Sequence, residues 1–169
     1  MNLARTVEIQ GIARQLGSEA VIEVEFGKGC NHIPRVDAAN CGMRSALTSA
    51  RARALGPYSH GVVSDPFVYL SGQTPLDPDS GALVGGGVGA QTAQCFDNLL
   101  AVLADDGLDE GDVVKVNVYL TDMGAFEEMN TAYATRFSEP FPARTTIGVA
   151  ALPLGAAVEI ELIARRRNG

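Results

Sequence analysis

The chain has 169 residues, of which 46% are hydrophobic and 20% are charged, and its formal net charge is −7. This length and composition indicate one globular domain with a real core, and the acidic balance argues against a nucleic acid partner. Three cysteines, Cys30, Cys41 and Cys95, are too few for a disulfide scaffold and favour a reducing compartment. No apolar run reaches transmembrane length and no signal-peptide block is present, so we predict a cytoplasmic protein without a membrane partner.

The N-terminal segment differs in character from the remainder of the chain. Residues 27–31 are rich in turn formers, and Met43 opens a segment that is typical of a fresh start. We predict a domain over residues 43–169, preceded by an extension over residues 1–42 that is poorly ordered or the product of an upstream start codon. Mass spectrometry and limited proteolysis of the natively expressed protein test this, since a protected, intact N-terminus would contradict it.

Two segments contain residues that are common in metal sites or phosphate-binding loops, but the sequence around them does not fit either kind of site. Cys30, His32 and Cys41 lie close in sequence, whereas zinc sites usually need four ligands in a paired arrangement. The glycine-rich run at 85–89 lacks the Gly-Lys-Ser/Thr ending of a phosphate-binding loop, and it follows a turn-rich loop instead of a core strand. We interpret these residues as loops, the second being a flexible connection into a helix, and we predict no metal and no cofactor.

Alternating strand and helix patterns follow. Residues 60–64 and 67–71 predict two strands, and residues 64–66 between them are typical of a hairpin turn. A helix that lies on a sheet is predicted over 90–105 from the spacing of its apolar residues, Phe96, Leu99, Leu100 and Leu103. Cys95 falls inside this helix and is most simply a packing residue.

The second half of the chain repeats this alternation. Residues 112–121 are dense in β-formers and predict a third strand. Asp122 is a candidate N-cap for a second helix, whose apolar face would contain Phe126, Met129, Tyr133 and Phe137. With two more strands after this helix, the order is β-β-α-β-α-β-β, an α+β domain with two helices on one face of a sheet.

The two C-terminal strands carry a pair of opposite charges. The apolar run 146–157 indicates a buried strand, and the clean alternation of residues 158–164 indicates a second one. Arg144 lies at the start of the first strand and Glu159 on the second. If these strands pair, both charges face one pocket, where the Arg144 guanidinium would hold a substrate carboxylate through two parallel hydrogen bonds. The alternative is a surface or interface arginine that pairs with an acid.

The same strands favour an oligomer. Strands that are apolar almost throughout are typical of sheets covered on both faces, yet only two helices are predicted. A partner subunit would cover the second face, so we predict a homo-oligomer with sites at the subunit junctions.

Several motifs stand in a characteristic order along residues 44–167. They include Gly56-Pro57-Tyr58-Ser59, Ser71-Gly72-Gln73, Pro75-Leu76-Asp77-Pro78, Tyr119-Leu120-Thr121-Asp122-Met123, Pro142-Ala143-Arg144-Thr145-Thr146 and Val158-Glu159-Ile160-Glu161. Together they resemble the RidA/YjgF family of small imine deaminases. The resemblance implies a chorismate-mutase-like homotrimer with active sites between subunits. It also implies hydrolysis of 2-imino acids, such as the tautomer of 2-aminoacrylate, to 2-keto acids and ammonia.

The resemblance further implies three catalytic residues. Arg144 matches the arginine that binds the substrate carboxylate, Glu159 matches the glutamate near the attacking water, and Tyr58 matches a pocket tyrosine. The simpler interpretation of Tyr58 is an interface aromatic.

Four more positions are implied as substrate-binding. Ser71 and Gly72 match a strand end that lines the pocket, and Asn130 matches an asparagine near the entrance. The simpler interpretations are a strand terminus and a helix-surface residue. Thr146 stands where many members have a cysteine, which puts redox activation through that thiol in doubt. Imine hydrolysis is less affected, because the family uses mainly the backbone there.

Two other functions remain open at this point. A non-catalytic metabolite-binding or holdase protein would keep Arg144 as a binder without turnover. A ribonuclease or translation inhibitor is a label that some family members carry. The net charge of −7 and the lack of a clear acid/base histidine pair weigh against this second alternative.

Overall fold

The structure is a computed structural model and describes residues 44–50, 52 and 56–167. The predicted extension over residues 1–42, with Cys30, His32 and Cys41, lies outside the described residues. The secondary structure elements are β1 Ser45–Leu47, β2 Gly61–Ser64, β3 Phe67–Gln73, α1 Val88–Ala104, β4 Val113–Leu120, α2 Phe126–Ala134, β5 Ala143–Gly148 and β6 Val158–Arg165. The predicted α+β order is confirmed, with the short strand β1 added at its start. None of the helices in these described ranges is long and apolar enough to span a bilayer.

All six of these strands form one mixed sheet in the order β1-β2-β3-β6-β4-β5. Only β4 and β5 run parallel, and α2 makes the crossover between them, as a parallel pair requires. Strand β6 pairs antiparallel with both β3 and β4 and thereby occupies the centre of the sheet. The strands of Arg144 and Glu159 do not pair, because β4 lies between them, so the condition for both charges to face one pocket of one chain is not met.

Both helices pack on the same face of the sheet. Three of the four residues of the predicted α1 stripe, Phe96, Leu99 and Leu103, are at 0% exposure, and the fourth, Leu100, is partly buried against them. They contribute to one hydrophobic core with the sheet residues that alternate toward the helices, namely Val116, Val118, Leu120, Val158, Ile160 and Leu162. Within the described residues, the other sheet face carries no helix. We call it the open face.

The apolar run 146–157 is not one buried strand. Strand β5 ends at Gly148, and the run continues through a loop with a 3₁₀ turn at Pro153–Gly155. Ile147 is 46% exposed and Leu154 is 61% exposed. The reason is position: β5 lies at the sheet edge, and its alternate side chains point to the open face. The proline then removes a backbone donor and opposes continued strand pairing.

The glycine run at 85–89 makes room for an acidic side chain. The Glu128 carboxylate from α2 accepts a hydrogen bond of 2.7 Å from the Gly89 amide at the start of α1. A Cβ on Gly87 would lie 3.2 Å from Glu128 Cδ and overlap its Oε1. The carboxylate therefore fills the position at the helix N-terminus where an anion is favourable.

Candidate active site

Arg144 lies on the helix-covered face of the sheet. It sits beside Val116 of β4, and its guanidinium carbon is 4.5 Å from the centroid of the Tyr133 ring and 5.7 Å from that of Phe126. Among the described residues, no carboxylate forms an ion pair with it. The cation is thus held against aromatic rings, and no carboxylate of the described residues accepts a hydrogen bond from its N–H groups.

The other residues near Arg144 come from α2 and β5. Phe126, Asn130 and Tyr133 are spaced i, i+4 and i+7, so Asn130 lies on the helix stripe that faces Arg144. Thr146 follows Arg144 by two residues on the same face of β5, and its hydroxyl is buried without a hydrogen-bond partner in the part of the chain described. We call Arg144, Thr146 and Asn130 the arginine half-site.

Glu159 lies on the open face. It pairs with Tyr119 of β4 on one side, and on the other side its carboxylate lies against Gly72 of the neighbouring strand β3. A Cβ on Gly72 would lie 3.0 Å from Glu159 Cδ and would overlap its Oε1. Burial raises the pKa of Glu159, and the negative charge of Glu161 raises it further. A carboxyl with a raised pKa is suited to exchanging protons near neutral pH.

Ser71, Gly72 and Glu159 form what we call the glutamate half-site. Ser71 is fixed by two hydrogen bonds, since its hydroxyl donates to the Ser59 carbonyl at 2.8 Å and its amide to the His60 carbonyl at 2.9 Å. Tyr58 directly precedes Ser59 and is 43% exposed. These bonds tie the Tyr58 segment to the strand end at Ser71.

A hydrogen-bond network not anticipated from the sequence is centred on Glu161, the next residue of β6 on the same face as Glu159. Both Asn117 Nδ2 and the Tyr119 hydroxyl donate to Glu161 Oε1 at 2.8 Å. Burial and this hydrogen bond raise the pKa of Tyr119 to about 12, so the phenol stays a donor. The sequence signal for this network was the alternation of polar side chains along β4 and β6. Polar side chains in such an alternation more often lie on a solvent-exposed face of a sheet.

The two half-sites face opposite sides of the sheet. Arg144 points to the helices and Glu159 to the open face. With β4 between their strands, the two backbones are two strand spacings apart, about 10 Å. One chain therefore does not bring Arg144 and Glu159 to one small ligand.

Within residues 44–50, 52 and 56–167, neither a reactive thiol nor a metal-ligand cluster accompanies these groups. Cys95 packs in the core as predicted, and burial raises the pKa of its thiol, which keeps it protonated. The described portion of the chain contains no group of three or more His, Cys, Asp or Glu side chains arranged to bind a metal ion.

Comparison with known proteins covers the same region. A model of the family described as Endoribonuclease L-PSP matches residues 48–166. The chain is 46% identical over 123 residues to the Mus musculus protein named 2-iminobutanoate/2-iminopropanoate deaminase, covering 72% of this chain and 91% of that protein. RidA from an Antarctic Psychrobacter species is similar in structure, with a TM-score of 0.69 and 41% identity over 72% of this chain and 99% of that one. The structure of E. coli TdcF with bound serine is also similar, with a TM-score of 0.69 and 35% identity; the match covers 73% of this chain and 99% of TdcF.

Proposed function

The chain belongs to the RidA/YjgF family, and from this premise we propose that it hydrolyses reactive 2-imino acids and their enamine tautomers. The substrates would be of the 2-iminopropanoate and 2-iminobutanoate class, including 2-aminoacrylate, and the products 2-keto acids and ammonia. The chorismate-mutase-like α+β fold is that of the family. The observation that carries the proposal is the Arg144 guanidinium, which is held on the Tyr133 ring while no carboxylate of the described residues pairs with it.

Arg144 would bind and orient the substrate. Its charge-assisted hydrogen bonds to the substrate carboxylate contribute about 1.5–3 kcal/mol each and fix the imine carbon beside it. The serine bound to TdcF, like a 2-imino acid, is a small molecule that carries one carboxylate. Asn130 and Thr146 lie around the arginine, while Tyr58, Ser71 and Gly72 would line the opposite wall.

Glu159 would move the protons. It accepts a proton from water as the water oxygen bonds to C2 of the iminium, and it passes that proton to the nitrogen of the resulting carbinolamine. As the C–N bond breaks and ammonia leaves, the hydroxyl gives its proton back to the Glu159 carboxylate and becomes the carbonyl. Glu159 then releases that proton to the departing ammonia, which leaves as ammonium. Proton transfer of this kind contributes roughly 10²–10⁴ in rate. The raised pKa of Glu159 favours a base that also returns its proton.

The active site would form between copies of the chain. We infer a homotrimer in which Arg144 of one subunit meets Glu159 of its neighbour. The placement of the two residues on opposite faces supports this, since a second copy is needed to join them. The open face, with Tyr69 46% exposed, is the surface that such a copy would cover.

The partners would be limited to the small substrate and further copies of this chain. The net charge of −7 opposes binding to nucleic acid or to an anionic membrane surface. The sparse cysteines favour a reducing compartment, and we propose the cytoplasm.

A coupled assay tests the activity. A pyridoxal-phosphate-dependent dehydratase acting on serine releases 2-aminoacrylate, and formation of pyruvate is followed with and without this protein. We expect acceleration by the wild type, and a loss of about 10²–10⁴-fold in kcat/KM for Arg144→Ala. Arg136→Ala is the matched control, because this arginine follows the end of α2 and forms an ion pair with the exposed Asp97 of α1.

The same assay separates the alternatives. A wild type that is stabilised by pyruvate but accelerates nothing across several amino-acid precursors would support a metabolite-binding or holdase protein. The family description as an endoribonuclease keeps the ribonuclease alternative open. Cleavage of RNA by purified protein, abolished in Arg144→Ala, would favour it over imine hydrolysis.

A further inference from the structure

The ring under Arg144 is itself rigidly held. Tyr133 is 5% exposed and belongs to an aromatic cluster with Phe96 and Phe137. The Tyr133 ring centroid lies 5.6 Å from that of Phe96 in an edge-to-face contact and 5.0 Å from that of Phe137. Phe96 and Phe137 also meet edge to face at 5.4 Å. A ring packed on two sides in this way has little freedom to turn.

The Tyr133 ring restrains the Arg144 side chain, a role that an ion pair with a carboxylate usually has. A long arginine side chain samples many rotamers unless a partner restrains it, and in the described ranges no carboxylate does so. Contact with the face of an aromatic ring attracts the cation and restrains it, while the guanidinium N–H groups remain unused. Those N–H groups lie in one plane, which is the plane in which a carboxylate binds with two bonds.

The phenol hydroxyl is not what restrains the arginine. The Tyr133 hydroxyl is buried and makes no hydrogen bond to any of the described residues. The contact that is present is between the guanidinium carbon and the ring, at 4.5 Å. Phe126 adds a second, more distant ring at 5.7 Å.

We propose that Tyr133 is a positioning residue that fixes the plane of the Arg144 guanidinium, and thereby sets affinity for the carboxylate of the substrate. Its aromatic ring carries this role, and its hydroxyl does not. The inference rests on the proposed function for the identity of the substrate, but its physical content is binding of a 2-oxo or 2-imino carboxylate at Arg144.

Three variants test the inference. Tyr133→Leu removes the ring, Tyr133→Phe keeps it, and Val102→Ala truncates a fully buried α1 residue outside the aromatic cluster as a control for lost stability. In the intact protein, KM for the imine and the dissociation constant for pyruvate are measured, the latter by NMR titration. We expect Tyr133→Leu to raise both by roughly 3- to 10-fold with a smaller change in kcat. Tyr133→Phe should recover most of this loss, and Val102→Ala should change neither constant by more than about twofold.

A double-mutant cycle makes the test specific to Arg144. Arg144→Lys loses the planar fork, so its effect on pyruvate affinity should be smaller in Tyr133→Leu than in the wild-type background. Equal effects in both backgrounds, or an unchanged pyruvate affinity in Tyr133→Leu, would overturn the positioning role.

The two proposals fail in distinguishable ways. Weaker pyruvate binding in Tyr133→Leu, with no imine hydrolysis by the wild type, would uphold the positioning role and refute the deaminase. Imine hydrolysis by the wild type, with both constants unaltered in Tyr133→Leu, would refute the positioning role alone.

Discussion

The arginine half-site and the glutamate half-site hold opposite charges by opposite means. Arg144 rests on aromatic rings on the helix-covered face, where no described carboxylate pairs with it. Glu159 lies on the open face beside a polar network centred on Glu161, and its pKa is raised first by burial and then by the negative charge of Glu161. A direct ion pair between the two would occupy the donors of the one and lower the pKa of the other. Placing them on opposite faces of one sheet keeps both charges available for a ligand.

After the loss expected for Arg144→Ala, the largest effect is expected from closing the space beside Glu159. Gly72→Ala places a methyl group against the Glu159 carboxylate and should displace it, lowering kcat by roughly 10–10²-fold if proton transfer is impaired. Thermal stability should change little, because the displaced group is the end of a flexible side chain. Gly85→Ala is the matched control, since a Cβ there has no neighbour within 4 Å. If Gly72→Ala is as active as the wild type, Glu159 does not transfer protons in the reaction.

A second prediction sharpens the contrast through pH. Activity that needs ionised Glu159 rises with pH through the pKa of this carboxyl, which lies above the ordinary glutamate value. Glu161→Gln removes the like charge, lowers that pKa, and should move the acidic limb of the kcat profile to lower pH. An acidic limb that stays in place, in a folded variant, would contradict this coupling.

The same shift has a consequence for stability. Because the folded pKa of Glu159 is raised, its stabilising contribution is full below the ordinary glutamate pKa and is lost as pH rises through the folded value. Glu159→Gln should therefore flatten this part of the unfolding free energy against pH, as measured by denaturant titrations. A dependence as steep as in the wild type would assign the loss to another group.

The smallest effect is expected away from both half-sites. Glu128→Gln weakens the hydrogen bond at the start of α1 and should cost about 1 kcal/mol in the free energy of unfolding, since an acid at a helix N-terminus is worth about this much. Glu127→Gln, on the adjacent α2 position, is the matched control. Activity of both variants should match the wild type when the assay is run well below the unfolding temperature.

Much of the fold followed from local pattern. The stripe of Phe96, Leu99 and Leu103 predicted α1 because a buried helix face leaves its period in the sequence. The pairing of the final strands did not follow, because insertion of β6 between β3 and β4 is a non-local contact. The prediction of one buried strand over residues 146–157 was wrong for a related reason, since the sequence carries no local signal that a strand will lie at the edge of a sheet.

The candidate site was predicted unevenly. Arg144 and Glu159 were singled out from the pattern of the C-terminal strands, and the family resemblance added Tyr58, Ser71, Gly72, Asn130 and Thr146. The roles of all seven stay predictions. Their distribution over two faces required the sheet order. Tyr133 had been recognised only as an apolar helix residue, because its contact with Arg144 crosses from helix to sheet. Glu161 was part of a family motif but was given no role of its own, since an acid in an alternating strand is usually solvated.

Subunit mixing tests the central claim, that Arg144 and Glu159 act together only across two copies of the chain. Inactive Arg144→Ala and Glu159→Gln proteins are unfolded together in equal amounts and refolded, with each protein refolded alone as the control. If the site is shared between neighbours, random assembly restores about one quarter of the wild-type activity, because that fraction of junctions pairs an intact arginine with an intact glutamate. If both residues act within one chain, every chain lacks one of them, and the mixture would stay as inactive as its components.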